Sequence, residues 1–194
     1  RAILTHPDLA ERIPREVLTE VEKLFICQGP ALGLCSQEIS LDSRISGMSE
    51  NCEPVWLDPK APLYLLYTSG STGPPKGVVH THRDMLGYLM TGRYVLDLRA
   101  DDILWTDGDP AWVTGTAYAA FAPWLCGVTS VVLGDPFAAS TSYRTLERHK
   151  VTVWYTTPRN INWMAAAGDD LPRRYDLASL RHITCVGESL APEL

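Results

Sequence analysis

From residue 63 onward, short apolar runs alternate with longer stretches of helical spacing. The runs at 64–68, 77–80, 103–106, 130–133, 151–156 and 182–186 are rich in Val, Ile, Leu, Tyr and Trp. Continuous apolar character over so few residues predicts strands buried on both faces. Between them, Met85, Leu89, Gly92 and Leu96 mark one face of a helix after His82, weakened by Gly87 and Gly92. Two further helices are predicted at 142–150 and 160–167. This alternation predicts an α/β fold with largely parallel sheets flanked by helices. In such sheets ligands bind beyond the carboxyl ends of strands, so the residues that follow each strand are the first candidates for a site.

The first 62 residues are less regular. A short helix is predicted at 7–13 and a strand at 23–27. The stretch 28–62 scatters Gly, Ser, Asn and Pro without periodicity, which predicts a long surface excursion with room for one short strand.

Composition narrows the classes. Apolar residues make up 45% of the 194 and charged residues 21%, enough to build a core. The net charge of -6 leaves no basic stripe and argues against a nucleic-acid partner. No stretch approaches the roughly 20 apolar residues of a spanning helix, and neither a membrane partner nor a signal peptide is expected. The cysteines (27, 35, 52, 126 and 185) form an odd set without a C-x-x-C pair. They are expected to be buried, reduced thiols in a cytoplasmic protein. The start at Arg1 and the stop at Leu194, just after Pro192, are those expected of a fragment.

The densest chemistry lies in Thr68-Ser69-Gly70-Ser71-Thr72-Gly73-Pro74-Pro75-Lys76-Gly77. Glycines allow tight folding and bring backbone N–H groups close to an anion. Ser69, Ser71 and Thr72 add hydroxyl donors and Lys76 a positive charge, so the decapeptide suits a polyphosphate. It is not the phosphate loop of P-loop NTPases. Lys76 is followed by Gly77 rather than Ser or Thr, and a strand rather than a helix is predicted next. The H-x-H of His80 and His82 lacks a third metal ligand, and no metal site is expected. Asp107-Gly108-Asp109-Pro110 reads as a turn, and Arg173-Arg174 as solvated surface.

The segment Tyr67-Thr-Ser-Gly-Ser-Thr-Gly-Pro-Pro-Lys-Gly-Val-Val-His80 resembles the signature loop of the adenylate-forming superfamily, which holds acyl-CoA synthetases, peptide-synthetase adenylation domains and luciferases. Trp112-Val113-Thr114-Gly115 alone would be read as the start of a core helix; beside the loop it resembles the W-V-T-G of acetyl-CoA synthetases. Val186-Gly187-Glu188 resembles that family's V-G-E-P, with Ser189 in place of Pro. Tyr155-Thr156-Thr157-Pro158 resembles its Y-T-A-P turn, which helps shape the nucleotide cleft; Arg159-Asn160 then replaces the usual T-A-x-R. After Leu133, Phe137-Ala138-Ala139 stands where an Asn often touches coenzyme A.

The resemblance implies ATP-dependent activation of acetate to acetyl-adenylate and its transfer to coenzyme A. Residues 1–194 would be part of one large N-terminal adenylation domain, without the C-terminal lid. Thr68, Ser69, Gly70, Ser71, Thr72, Gly73 and Lys76 would hold the ATP phosphates, with Lys76 and Thr72 catalytic. Gly187, Glu188 and Ser189 would meet the adenine, and Trp112, Val113, Thr114 and Val186 the acyl and coenzyme A side. Mg2+ ligands are expected outside this segment, and the oligomeric state is open. The alternatives are a synthetase for propionate or another short acid, or a non-catalytic nucleotide-binding remnant.

Overall fold

The structure is a computed structural model that describes residues 1–69, 73–134 and 136–191. The chain divides into two compact units, Arg1–Trp56 and Leu57–Leu194. In the first, β1 (Ala2–Thr5), α1 (Pro7–Ala10), α2 (Arg15–Glu20), β2 (Lys23–Ile26), β3 (Glu38–Ser40) and α3 (Leu41–Ile45) follow in order. The strands pair in parallel, in the order β1-β2-β3. Ala10, Leu18, Leu24 and Ile26 close the core between sheet and helices. The helix expected at 7–13 stops at Ala10, because Pro14 opens α2 and bars its predecessor from helical dihedrals. The short strand allowed for within 28–62 is β3.

The second unit opens with an antiparallel hairpin, β4 (Pro62–Thr68) and β5 (Lys76–Thr81), in which Tyr64 faces His80 and Thr68 faces Lys76. A 3-10 turn at His82–Asp84 leads into α4 (Met85–Tyr94). It is closed by a capping box in which the backbone N–H of Thr81 donates to Asp84 Oδ2 at 2.7 Å. Then follow β6 (Ile103–Thr106), α5 (Val113–Gly115), a π-helical segment (Thr116–Phe121), α6 (Ala122–Cys126), β7 (Thr129–Val131), α7 (Ala139–Arg148), β8 (Val153–Thr156), α8 (Pro158–Ala166) and β9 (His182–Cys185). The last four strands form a parallel sheet in the order β7-β6-β8-β9.

Period-two alternation divides this sheet between two cores. Leu104, Val153 and Tyr155 pack with Leu96, Leu98 and Val128 on one face. Trp105 and Trp154 pack with Leu146, Val151 and Met164, from the α7 and α8 side, on the other. The two indoles stack at 5.5 Å. The sheet is thus covered by helices on both sides, as continuous apolar strands require.

The π segment follows from Pro123, which has no N–H to return to the preceding turn. The carbonyls left over at Tyr118 and Ala119 accept instead from the hydroxyls of Thr106 (3.1 Å) and Ser130 (2.7 Å). Those two bonds stitch the helix to β6 and β7.

At the amino end of the sheet, Arg181 Nε donates to Asp102 Oδ1 at 2.9 Å and Nη1 to Asp97 Oδ2 at 2.9 Å. Thr152 Oγ1 donates to the same Asp102 oxygen at 2.6 Å. Burial alone would raise the Asp102 carboxyl. The bonds from Arg181, Thr152 and the Arg99 N–H hold it below the usual carboxylate range.

All five thiols are free, as expected, but none is fully buried: Cys52 is exposed and the others are half-buried. Among the described residues no helix is long and apolar enough to cross a membrane.

Candidate functional site

The parallel register brings Thr106, Val131, Thr156 and Cys185 to one end of the sheet. The loops that follow them build two adjoining cavities there, as expected for an open parallel sheet. One, of about 480 Å³, is lined by Asp107, Gly108, Asp109, Trp112, Thr114, Thr156, Thr157, Arg159, Asn160, Trp163, Val186, Gly187 and Glu188. The other, of about 520 Å³, shares Asp107, Gly108 and Asp109 with it and runs along Leu133, Pro136 and Phe137. Phe137 packs on Trp163 of the first cavity with ring centroids 5.7 Å apart.

Each wall has a local cause. Asp109-Pro110-Ala111-Trp112 is a β-turn in which the Trp112 N–H donates to the Asp109 carbonyl at 2.9 Å. Asp in the first position and Pro in the second suit that turn. Thr116 Oγ1 donates to the Pro110 carbonyl at 2.6 Å and locks the turn onto the start of the helix. Gly115 is required here, because a Cβ would lie 2.2 Å from the Asp109 carbonyl oxygen. On the opposite wall Thr157 caps α8 by accepting from the Asn160 N–H at 3.3 Å, and Pro158 occupies the first turn. Glu188 Oε1 accepts from the Arg159 N–H at 3.2 Å, a carboxylate at the positive end of that helix. Gly187 reaches this position at φ 100°, in the region that only glycine enters freely.

Between the walls sits Asp107. Its Oδ2 accepts from Thr156 Oγ1 at 2.5 Å and from Asn160 Nδ2 at 3.0 Å. Burial pushes the Asp107 carboxyl above its ordinary range, and those two bonds only partly oppose the shift. A half-buried carboxylate thus joins the exits of β6 and β8 to the first turn of α8.

Of the residues singled out in the sequence, Trp112, Thr114, Val186, Gly187 and Glu188 meet in the first cavity, although they come from two separate motifs. Trp112 is 70% exposed there, so the helix it opens is not entered through a core residue. Val113 and Ser189 are exposed and do not line the cavity. Thr68 and Lys76 stand opposite each other at the open end of the hairpin, exposed like Ser69 and Gly73. Gly70, Ser71 and Thr72 lie outside the described residues. In the sequence Asp107 belongs only to a turn, and nothing there marks Trp163. Its helical spacing carries no mark of a cavity, whereas Asp107 directly follows a strand end, which was the available signal.

A helix-covered parallel sheet with its cavities beyond the carboxyl strand ends, beside an antiparallel hairpin, defines the class: an α/β protein with an open site at the ends of its strands. The sequence profile described as AMP-binding enzyme matches residues 3–194, and the chain belongs to that family. It is 43% identical to an acetyl-coenzyme A synthetase of Bacillus subtilis (strain 168) over 194 residues, which is 100% of this chain and 34% of that protein. The crystal structure of a Brucella canis acyl-CoA synthetase superposes with a TM-score of 0.85 at 30% identity, over 99% of this chain and 34% of that one. The anthranilate CoA ligase AuaEII in complex with anthranoyl-AMP gives 0.85 at 27% identity, over 98% and 36%. The chain therefore spans about a third of the length of the relatives it matches.

Proposed function

We propose that the full-length protein carrying this chain is an AMP-forming acyl-coenzyme A synthetase acting on acetate, and that residues 1–194 belong to its large adenylation domain. The observation that carries this reading is the meeting of Trp112 and Thr114 with Val186, Gly187 and Glu188 around one cavity at the strand ends. Relatives that are acetyl-coenzyme A synthetases support the choice of acid.

In the first half-reaction a carboxylate oxygen of acetate attacks the α-phosphorus of ATP. The bond to the bridging oxygen breaks and pyrophosphate leaves. In the second, the coenzyme A sulfur attacks the acyl carbon and AMP departs with the former carboxylate oxygen. Neither step needs a protein nucleophile, so catalysis rests on position and charge. Lys76, Thr72 and the other loop residues Thr68, Ser69, Gly70, Ser71 and Gly73 would take the β- and γ-phosphates. Gly187, Glu188 and Ser189 would border the adenine. Trp112, Val113, Thr114 and Val186 would face the acyl group and the incoming thiol. The reaction calls for Mg2+, but Asp107, Asp109 and Glu188 already accept bonds from protein donors. Among the described residues no cluster of His, Cys, Asp or Glu is placed to hold a metal. These residues do not fit the ion, and no step here runs through it. Free thiols accord with a cytoplasmic setting.

A second reading is propionate or another short acid, because Trp112 is the large apolar side chain on this wall and is 70% exposed, leaving the depth of the acyl pocket to residues of the full-length protein. ATP–pyrophosphate exchange with a panel of short carboxylates on the full-length protein decides between them. Acetate is expected to give the highest kcat/KM; nucleotide binding without exchange for any acid would replace both readings with a non-catalytic module. The 194-residue chain alone is expected to give no exchange.

A further inference from the structure

Beyond the capping box at Thr81 and Asp84, an aromatic cluster joins the loop-bearing hairpin to the helices beside the site. Tyr64 and His80 are cross-strand partners whose rings stack at 4.5 Å and 7°. The hydroxyls of Tyr64 and Tyr88, the latter on α4, lie 2.7 Å apart. Tyr88 Oη is also 3.5 Å from His80 Nδ1. Both tyrosines stack on Phe121 in the π segment, at 5.3 and 6.3 Å, and Tyr88 meets Tyr118 edge-on at 6.1 Å. Tyr118 in turn meets Tyr155 of β8 edge-on at 5.0 Å. Phe121 and Tyr118 belong to the continuous helix that begins beside Trp112, and Tyr155 immediately precedes Thr156 of the cavity. An unbroken aromatic chain thus runs from the hairpin to the cavity wall.

A shared hydroxyl bond is more than a fill of space. Tyr64 and Tyr88 would pack as well as phenylalanines, and the bond adds a fixed direction between strand and helix. It lies four residues from Thr68, roughly 14 Å along the strand at about 3.4 Å per residue. A tilt at this joint therefore displaces the Thr68–Lys76 end by several times the movement at the joint.

We propose that Tyr64 and Tyr88 are positioning residues whose hydroxyl bond, backed by His80, sets where Lys76 and Thr68 stand relative to the Trp112 helix. This rests on the reading of the hairpin as the ATP phosphate holder. It assigns the orientation of that hairpin to one joint rather than to the strand pairing at large.

The test uses Tyr64→Phe, Tyr88→Phe and the double variant in the full-length protein. Two readouts need no turnover: the rate of tryptic cleavage after Lys76, and amide exchange in β4 and β5. Each single variant is expected to raise both about two- to tenfold, the range of one net hydrogen bond, with the double no worse than either single. KM for ATP is expected to rise by a similar factor while KM for the acid holds. Unchanged cleavage and exchange overturn the proposal. So does an equal rise in all KM values with a lowered Tm, which marks general loosening. If the wild type shows no pyrophosphate exchange, the adenylation reading fails while the joint is still judged by the protease and amide data.

Discussion

Asn160 Nδ2 donates to Asp107 Oδ2 at 3.0 Å, which ties the loop leaving β6 to the first turn of α8 across the base of the cavity. The same oxygen accepts from Thr156, and burial raises the Asp107 carboxyl all the same. Replacing Asn160 by Ala removes one of the two bonds that favour the ionised form, so Asp107 is expected to titrate higher still. A carboxyl raised on folding contributes stability that is complete below its unfolded value near 3.9 and is lost as pH rises through the folded value. Asn160→Ala should therefore extend that loss to higher pH and cost about 1 kcal/mol near neutrality. Carboxyl carbon NMR and urea denaturation at several pH values measure the two effects; an Asp107 titration unmoved by the substitution would contradict the assignment.

The opposite sign holds at the other end of the sheet. Asp102 is 4% exposed, bound by Arg181 and Thr152, and its carboxyl is held below the ordinary range. Its contribution is complete above the unfolded value near 3.9 and is lost as pH falls through the folded one. Asp102→Asn leaves Arg181 without its main partner and should cost about 3 kcal/mol at neutral pH. The variant should also lose part of the wild type's acid-induced fall in stability below pH ~4. Thermal melts from pH 3 to 7 give both, and parallel curves for wild type and variant would refute the role.

The strand ends were legible because strands buried on both faces read as apolar runs. Ile103–Thr106 falls where expected, and the other runs of the parallel sheet differ by two residues or fewer at either end. The site's motifs were legible because glycine, proline and hydroxyl residues follow those runs. What stayed hidden depends on pairs remote in sequence. Nothing local ties Asp107 to Asn160, or Glu188 to the Arg159 N–H, and Trp163 sits in an ordinary helical pattern. The helix beyond Trp112 was masked by its exposed start and by Pro123, whose missing N–H is offset by hydroxyls on two strands. In the first unit, β1 and α2 are too short for periodicity to show.

Gly115→Ala tests the turn that builds the Trp112 wall. The added methyl would meet the Asp109 carbonyl oxygen at 2.2 Å. That carbonyl cannot retreat without losing its bond to the Trp112 N–H. The expected cost is about 1–3 kcal/mol, as for overpacking elsewhere, together with weakened acid and coenzyme A use. A variant with unchanged Tm and kinetics would show that the turn yields freely.

Lys76→Ala tests the phosphate assignment. Lys76 is exposed at the hairpin's open end, paired across from Thr68, so its removal should leave stability nearly unchanged. If it stabilises the departing pyrophosphate, exchange should fall about 10²–10³-fold, the usual loss for one preorganised charge-stabilising donor. Lys76→Arg should recover only part of this, because the broader guanidinium does not occupy the ammonium's position. Exchange at the wild-type rate in Lys76→Ala would end the assignment.

Trp112 bears on which acid is used. It lines the same cavity as Val186 and Gly187 and is 70% exposed, so a substrate rather than the protein core would meet the ring. An apolar wall excludes longer chains by volume, and each misfitted methylene is worth about 1–3 kcal/mol, or roughly 10–200-fold. Removing the indole should relieve that exclusion while leaving the nucleotide side of the cavity intact. Trp112→Ala is accordingly expected to raise the propionate- and butyrate-to-acetate ratios of kcat/KM by at least about tenfold, with KM for ATP little changed. The ring caps no helix through its side chain, so the fold should survive the change. Should the ratios stay fixed while all activities fall together, Trp112 would be a support of the helix start, and the acyl wall would have to be sought among other residues of the full-length protein.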